Sequence, residues 1–181
     1  MIETQRLLLR PWRDADREPF AALNADPEVR RYFPSTLSRE ESDAGVDRQM
    51  AHFAAHGFGL WALEREADGA FLGFTGLRVL EPEDPLSPGI EIGWRLARHA
   101  WGCGYASEAA QASLAYGFQT LGLAEIVAFT ARTNLPSERV MQRIGMTHDP
   151  ARDFDHPAVP EGHPIRPHVV YFARPSALTT A

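Results

Sequence analysis

Apolar positions in the first part of the chain follow a strand-like run and then helical spacing. Residues 6–10 form a short apolar run that a proline ends, which predicts a strand. Residues 14–24 repeat their apolar positions with helical spacing. Asp26-Pro27 then supplies an N-cap and a first-turn proline, which predicts a short helix over residues 26–32.

The next segment predicts a long helix and then strands. Ser38 and Glu41 form a capping box, the pattern that opens a helix. Residues 58–64 and 71–80 are apolar runs separated by an Asp-Gly turn signal, which predicts an antiparallel hairpin. Proline-rich residues follow as a loop, and residues 90–96 predict another strand.

The second half of the chain begins with a glycine-rich turn at residues 102–104. A helix is predicted from 105 to 120, a strand over 125–131 and a helix over 135–144. Two further strands are predicted near 147–154 and 168–174.

The order of these elements predicts the architecture. A strand, a helix and a strand at 90–96, 105–120 and 125–131 imply a right-handed parallel crossover. The hairpin and the tail imply antiparallel pairing elsewhere. We therefore expect an α/β fold of the mixed α+β kind, with a single twisted mixed sheet of about seven strands and helices on both faces.

Composition limits the class of protein. The 181 residues suit one domain, 1–181, with its core at about 2–175. No apolar run is long enough to span a membrane, and the N-terminus does not read as a signal peptide, so we expect a cytoplasmic protein. A single cysteine, Cys103, excludes an internal disulfide and a cysteine-based zinc site.

Charge also limits the partners. The net charge of −6 argues against a nucleic-acid interface and suits a cationic acceptor such as an amine. All 18 basic residues are arginine, so the protein has no lysine side chain of its own to modify. Four histidines lie within residues 148–168 without tight ligand spacing, which favours a loop at the rim of a site over a metal centre.

The glycine-rich turn carries the strongest chemical signal. A strand leads into Gly102 and Gly104, which allow close backbone approach, and a helix N-terminus follows. Unpaired amides and the helix dipole at that point favour a pyrophosphate. A P-loop needs a lysine, and a dinucleotide fingerprint needs a third glycine where this chain has Ser107, so neither motif is present.

Residues 99–108, HAWGCGYASE, resemble the coenzyme A pyrophosphate loop of the GNAT N-acetyltransferases, usually written R/Q-x-x-G-x-G/A. His99 occupies the arginine or glutamine position, which is a departure. Residues 134–146 are similar to the N-x-x-S-x-x-V-x-x-x-x-G-F segment of the RimJ/RimL-like branch, and residues 4–12 resemble its first strand. The three motifs stand in order within residues 2–147.

The resemblance implies an acetyl-CoA-dependent N-acetyltransferase with the GNAT fold. Acetyl would pass directly to a primary amine, either a protein N-terminal α-amine or a small molecule. The strands at 90–96 and 125–131 would splay apart around pantetheine, and an N–H near Trp94 would stabilise the oxyanion. The expected coenzyme-binding residues are Trp94, Leu96, His99, Trp101, Gly102, Cys103, Gly104, Tyr105, Ala106 and Asn134.

Two catalytic residues are expected, Glu91 and Ser137. Glu91 lies on the strand beside the thioester and would act as general base through water. The alternative for Glu91 is a structural carboxylate that pairs with Arg95 or Arg132. In many family members a tyrosine protonates the leaving thiolate, but Met141 stands at that position here.

Ser137 would then donate a hydrogen bond to the sulfur, and its alternative role is to satisfy first-turn amides of its helix. Asn134 would cap the same helix. Arg139 and Arg143 would either approach the 3′-phosphate or form a solvated face.

Other parts of the chain are expected to build the acceptor site. Helices within 14–33 and the tail would wall it, and Tyr171 and Trp61 are better core residues than lining residues. We expect no metal, and a monomer or a homodimer. A non-catalytic acyl-CoA-binding sensor is the alternative function.

Overall fold

The computed structural model describes residues 1–175, so the last six residues of the expected domain 1–181 lie outside it. The chain forms nine strands and four α-helices within this range. The strands are β1 Ile2–Glu3, β2 Leu7–Arg10, β3 Leu60–Arg65, β4 Phe71–Val79, β5 Ile90–Leu96, β6 Ile126–Ala131, β7 Thr147–His148, β8 Phe154–Asp155 and β9 Pro167–Ala173. The helices are α1 Arg17–Ala25, α2 Arg39–His56, α3 Tyr105–Gln119 and α4 Leu135–Arg143.

All nine strands belong to one mixed sheet. Its order is β1-β2-β3-β4-β5-β6-β9-β7, and β8 pairs with β9. The expected mixed α/β fold is confirmed, with two strands more than the approximate count of seven. One addition is the two-residue β1, and the other arises because a 3₁₀ turn at Pro150–Arg152 divides the predicted strand 147–154 into β7 and β8.

The two central parallel strands, β5 and β6, separate soon after they meet. They share a single register pair, Glu91 with Val127. On its other edge, β5 pairs with β4 along its whole length, and β6 pairs likewise with β9. The expected splay is therefore present, and it leaves an open seam toward the carboxyl ends of β5 and β6.

Helices cover both faces of the sheet. Helix α3 packs on one face over the larger apolar core, which includes Ile92 and Leu96 from β5. Helices α1 and α2 pack on the other face around Trp12 and Phe20. Within residues 1–175, no helix combines the length and apolar character that crossing a bilayer requires.

The short helix predicted over 26–32 is wrong, because this segment forms consecutive turns. Asp26 does accept a hydrogen bond from the Glu28 amide, as an N-cap would. Pro34 disfavours helical geometry at Phe33, so a helix opened at Asp26 could have only about two turns, which is too short to be stable by itself. The resulting turns lead into the cleft described below.

A buried ion pair fastens the start of α1 to the sheet. Both terminal nitrogens of Arg10 donate to Asp16 at 2.8 Å, and Arg10 Nε donates to Glu64 at 2.6 Å. Asp16 also accepts from the Arg13 amide at 2.8 Å. The side chains of Arg10 and Asp16 are only 4% and 3% exposed, so removal of either partner strands a buried charge.

The substitution Asp16→Ala should lower the free energy of unfolding by about 3 kcal/mol, because Arg10 loses a buried bidentate partner. Urea denaturation measures the change. Asp47→Ala is the matched control, since Asp47 pairs with Arg17 at the surface and is 65% exposed. The control should lower the free energy of unfolding by less than about 1 kcal/mol. Equal decreases in both variants would contradict a stabilising role for the buried Arg10–Asp16 pair.

Candidate active site

A cleft of about 810 Å³ opens at the seam between β5 and β6. Its walls come from β5, the glycine-rich turn, the start of α4, the turns after α1 and part of the tail. Ten of the sequence-predicted site residues line it, namely Glu91, Trp94, Leu96, Trp101, Gly102, Gly104, Tyr105, Ala106, Asn134 and Ser137. The structure does not place His99 or Cys103 in the lining, and both are exposed.

The glycine-rich turn has the backbone that its sequence predicts. Gly102 and Gly104 have φ angles of 74° and 82°, in the left-handed region that favours glycine. Gly104 is the N-cap of α3, and no side chain caps the helix there. A Cβ at Gly102 would meet no atom within 4 Å. First-turn amides with the positive end of the helix dipole therefore stand beside open space, which is an arrangement that binds anions.

A clamp between the first residues of the chain and α3 holds this turn in place. Glu108 accepts from the Thr4 hydroxyl at 2.6 Å, the Arg6 amide at 3.0 Å and Arg6 Nε at 2.7 Å. The same guanidinium donates to the Cys103 carbonyl at 3.0 Å and stacks over the Tyr105 ring at 4.6 Å. From the sequence, Thr4 and Arg6 are recognisable only as part of a strand motif, because their contact with Glu108 joins residues about a hundred positions apart.

The free edge of β5 presents main-chain groups to the seam. The Ala97 amide donates to Leu72 on β4, and alternation along the strand turns the groups of Trp94 and Leu96 the other way. The Leu96 carbonyl already accepts from the Trp101 indole at 2.8 Å. Trp94 therefore contributes the freer main-chain groups at this edge.

Glu91 lies in the cleft beside an arginine that sequence reasoning did not name. Arg78 Nε donates to Glu91 at 2.6 Å, and the other arm of Arg78 binds Asp84 at 3.0 Å. Glu91 does pair with an arginine, as its alternative role requires, but the named candidates Arg95 and Arg132 are wrong, because the register of β4 against β5 places Arg78 directly opposite Glu91. Burial raises the pKa of Glu91 above its usual range, and the Arg78 charge opposes that rise in pKa.

The start of α4 brings a serine and an asparagine to the cleft. Asn134 caps the helix, since its Oδ1 accepts from the Ser137 amide at 3.3 Å, and its Nδ2 donates to Thr130 at 2.9 Å. Asn134 thus satisfies the amide of Ser137, and among the described residues the Ser137 hydroxyl makes no hydrogen bond to a first-turn amide. Met141, one turn later, is 1% exposed and lines the same wall.

The two arginines of α4 differ in position. Arg143 lines the cleft and donates to the Ser107 hydroxyl in the first turn of α3 at 3.3 Å. Arg139 is exposed and does not line the cleft. The solvated-face interpretation therefore fits Arg139, and Arg143 lies near the anion-binding end of α3.

The tail lines the cleft, as expected, and brings two histidines that sequence reasoning assigned only to a rim loop. The rings of His156 and His168 are 4.8 Å apart and pack beside Phe129 and Phe154. Burial lowers the pKa of both imidazoles, which favours their neutral forms. Among the described residues, no group of three or more His, Cys, Asp or Glu side chains is arranged to hold a metal ion.

The turns after α1 also form a wall, as expected for the segment 14–33. Their cleft residues include Tyr32 and Phe33. Trp61 and Tyr171 are 2% and 4% exposed and belong to the apolar core, which confirms that expectation.

The acetyltransferase (GNAT) domain model matches residues 6–147 of this chain. Because this match covers more than half of the chain, the protein belongs to the GNAT acetyltransferase family. Together with its relatives, the match identifies an N-acetyltransferase.

Individual relatives agree with this assignment. The FsC-acetyl coenzyme A-N(2)-transacetylase of Aspergillus fumigatus is 35% identical over 154 residues, which cover 81% of this chain and 65% of that protein. The GNAT-family acetyltransferase from Bacillus anthracis superimposes with a TM-score of 0.78 at 28% identity, over 96% and 97% of the two chains.

A more distant structure shares the fold. RimL, a ribosomal L7/L12 α-N-protein acetyltransferase solved in complex with coenzyme A, has a TM-score of 0.76 at 17% identity. The match covers 96% of this chain and 97% of RimL.

Proposed function

We propose that the enzyme transfers acetyl directly from acetyl-CoA to a primary amine. The observation that carries this proposal is the open β5–β6 seam beside the uncapped start of α3. A pyrophosphate fits the helix start, and an extended pantetheine arm fits the free edge of β5 as an added strand would. The coenzyme A in the RimL structure agrees with this choice of ligand.

The acetyl carbonyl would lie beside Trp94. Its main-chain groups point into the seam, whereas the Leu96 carbonyl is occupied by the Trp101 indole. An amide N–H at Trp94 would donate to the carbonyl oxygen and stabilise the negative charge that develops as the amine attacks. Leu96 would contribute its remaining main-chain groups to the pantetheine arm.

Glu91 would accept the proton from the attacking amine through water. Its side chain lines the cleft, and Arg78 keeps it in a fixed orientation. A carboxyl whose pKa lies above its usual range is a better proton acceptor near neutral pH than an ordinary carboxylate. The α-amine of a peptide, with a pKa near about 8, needs less help from such a base than a lysine-type amine near about 10.4.

Ser137 would donate a hydrogen bond to the leaving sulfur. Asn134 takes over the capping of α4, so the serine hydroxyl is not required for it. With Met141 where many family members have a tyrosine, Ser137 is the hydroxyl that α4 brings to the cleft.

The acceptor we favour carries an α-amine. The Asn134 and Ser137 segment resembles the RimJ/RimL-like branch, and RimL itself is described as an α-N-protein acetyltransferase. A small-molecule amine is the competing acceptor, and the Aspergillus relative is described as an N(2)-transacetylase.

The substitution Gly104→Glu should weaken coenzyme A binding by about 100-fold or more, because a carboxylate would then stand beside the bound pyrophosphate. Isothermal titration calorimetry measures the dissociation constant. Gly122→Glu is the matched control, since Gly122 also has a positive φ, of 66°, and lies at the other end of α3. An unchanged affinity in Gly104→Glu would rule out this phosphate site.

The substitution Glu91→Gln should lower kcat by about 100-fold or more and leave the KM for acetyl-CoA unchanged, because it removes only the proton acceptor. Release of free coenzyme A measures turnover. Asp84→Asn is the comparison, since it removes the other carboxylate that binds Arg78. Equal losses in both variants would mean that Glu91 acts only through the ion pair.

The pH dependence gives a second test of Glu91. The base works only when deprotonated, so kcat should fall as the pH drops through the raised pKa, above the ordinary glutamate value of about 4.3. The Glu91→Gln variant should lose this acidic limb. If the limb persists unchanged in the variant, another group is the base.

The substitution Ser137→Ala should lower kcat by about 10-fold, because one hydrogen bond to the leaving sulfur is lost in the transition state. Coenzyme A affinity should not change. Ser113→Ala is a control on α3, where the hydroxyl donates within the helix to Ala109. Full turnover in Ser137→Ala would remove Ser137 from the mechanism.

A further inference from the structure

Three alternate residues of β5 lie on the face of the sheet that α1 and α2 cover, namely Glu91, Gly93 and Arg95. Residues two apart on a strand lie on the same face, and each residue advances the chain by about 3.3 Å. The two charged residues are therefore about 13 Å apart along the strand, with a glycine between them. All three line the cleft.

Arg95 is a half-buried cation without an anionic partner among the described residues. Within residues 1–175, no carboxylate forms an ion pair with it. Its Nη1 donates to Asn24 at 2.9 Å, while the buried Nε has no hydrogen-bond partner in the described chain. Burial, and next the positive charge of Arg30, lower the pKa of Arg95 to about 9.

Arg95 also shares an aromatic ring with another arginine. Its guanidinium lies 4.2 Å from the centre of the Phe33 ring, and the Arg30 guanidinium lies 4.4 Å from the same ring. Arg30 Nε donates to the Ser35 carbonyl, and burial lowers the Arg30 pKa as well. Two like charges therefore share one ring, and Phe33 and Arg95 bring this pair to the wall of the cleft.

The surrounding contacts hold Arg95 in position. The Asn24 side chain is itself fixed by a buried hydrogen bond of 3.0 Å to Ser42 on α2, so its oxygen remains directed at Arg95. Phe74 lies beneath the guanidinium at 5.3 Å. A charge largely removed from solvent is normally paired, as Arg10 is with Asp16, and an unpaired one in a cleft favours an anionic ligand.

Coenzyme A does not supply this anion in the placement described above. Its pyrophosphate would lie at the start of α3, which packs on the opposite face of the sheet. Arg95 lies on the face covered by α1, at the acceptor side of the seam. The missing anion therefore belongs to the acceptor.

We propose that the acceptor is an amine that also carries a carboxylate, an α-amino acid or a compound of that form, and that Arg95 binds its carboxylate. This inference rests on the proposed function. The carboxylate pairs with the guanidinium, and the amine then lies over Gly93, between Arg95 and Glu91 and beside the Trp94 main chain. Arg95 fixes the orientation of the acceptor and takes no part in the bond changes.

The test compares each amino acid with its amide, with kcat/KM expressed for the neutral amine, because the amide also has a lower amine pKa. The twenty amino acids are assayed with acetyl-CoA beside their C-terminal amides, and free coenzyme A is measured. At least one amino acid should be acetylated with a kcat/KM about 100-fold above that of its amide. If the amides are acetylated as efficiently as the acids, the inference is overturned and the proposed function stays intact.

Variants separate binding from folding. Arg95→Gln should lower kcat/KM for the amino acid by about 100-fold, leave the value for its amide unchanged and leave the KM for acetyl-CoA unchanged. The melting temperature of each variant is measured as well, so that any loss of the Asn24 contact is separated from loss of acceptor binding. Arg48→Gln, at an exposed arginine on α2, is the matched control and should change neither substrate. An equal loss with acid and amide would assign Arg95 a structural role.

A binding measurement does not depend on turnover. In the presence of coenzyme A, the N-acetylated amino acid should raise the melting temperature of the protein, and its N-acetylated amide should not. Arg95→Gln should abolish this difference. If the N-acetylated acids bind no better than the amides, the inference fails, whereas absence of acetylation with every amine would contradict the proposed function instead.

Discussion

The incomplete pairing of β5 with β6 is the constraint on which the site depends. Each strand is fully paired on its outer edge, yet the two meet at only one register pair, Glu91 with Val127. Beyond that point the inner edges have main-chain donors and acceptors that no neighbouring strand satisfies. Backbone groups that are buried need hydrogen-bond partners. The unpaired groups along this gap can be tolerated because the gap is open to solvent or to a ligand. The glycine-rich turn and the start of α4 both border the gap.

The alternation of side chains along β5 gives its two faces different surroundings. Ile92 and Leu96 face the apolar core under α3, where the anion-binding helix start lies. Glu91 and Arg95 lie on the other face, where Glu91 pairs with Arg78 and Arg95 bonds Asn24 of α1. In the proposed arrangement this strand would separate the coenzyme from its acceptor, and both would meet its edge at Trp94. Because side chains alternate between the two faces of a strand, neighbouring residues of β5 would then contact different substrates.

Features with local causes could be predicted from the sequence, whereas features set by register could not. The turn at Gly102 and Gly104 and the Asn134 cap follow from backbone preferences within a few residues, and the structure has both. The partner of Glu91 depends on which residue of β4 stands opposite, and no local pattern specifies that. The two arginines at the Phe33 ring likewise come from a loop and a strand distant in the sequence. The turns at 26–32 departed from prediction because Pro34 outweighed a good N-cap.

The Arg6–Glu108 clamp has a consequence for how the protein acquires its ligand affinity. The Thr4 and Glu108 side chains that bond each other are 104 positions apart in the chain. Closing so long a segment is entropically costly and occurs only when the strands between them have assembled. The first strands of the sheet and the glycine-rich turn are thus held together by a contact that forms only in the folded chain. In the proposed function, coenzyme affinity would depend on this contact, and a bound coenzyme would stabilise the entire fold by mass action.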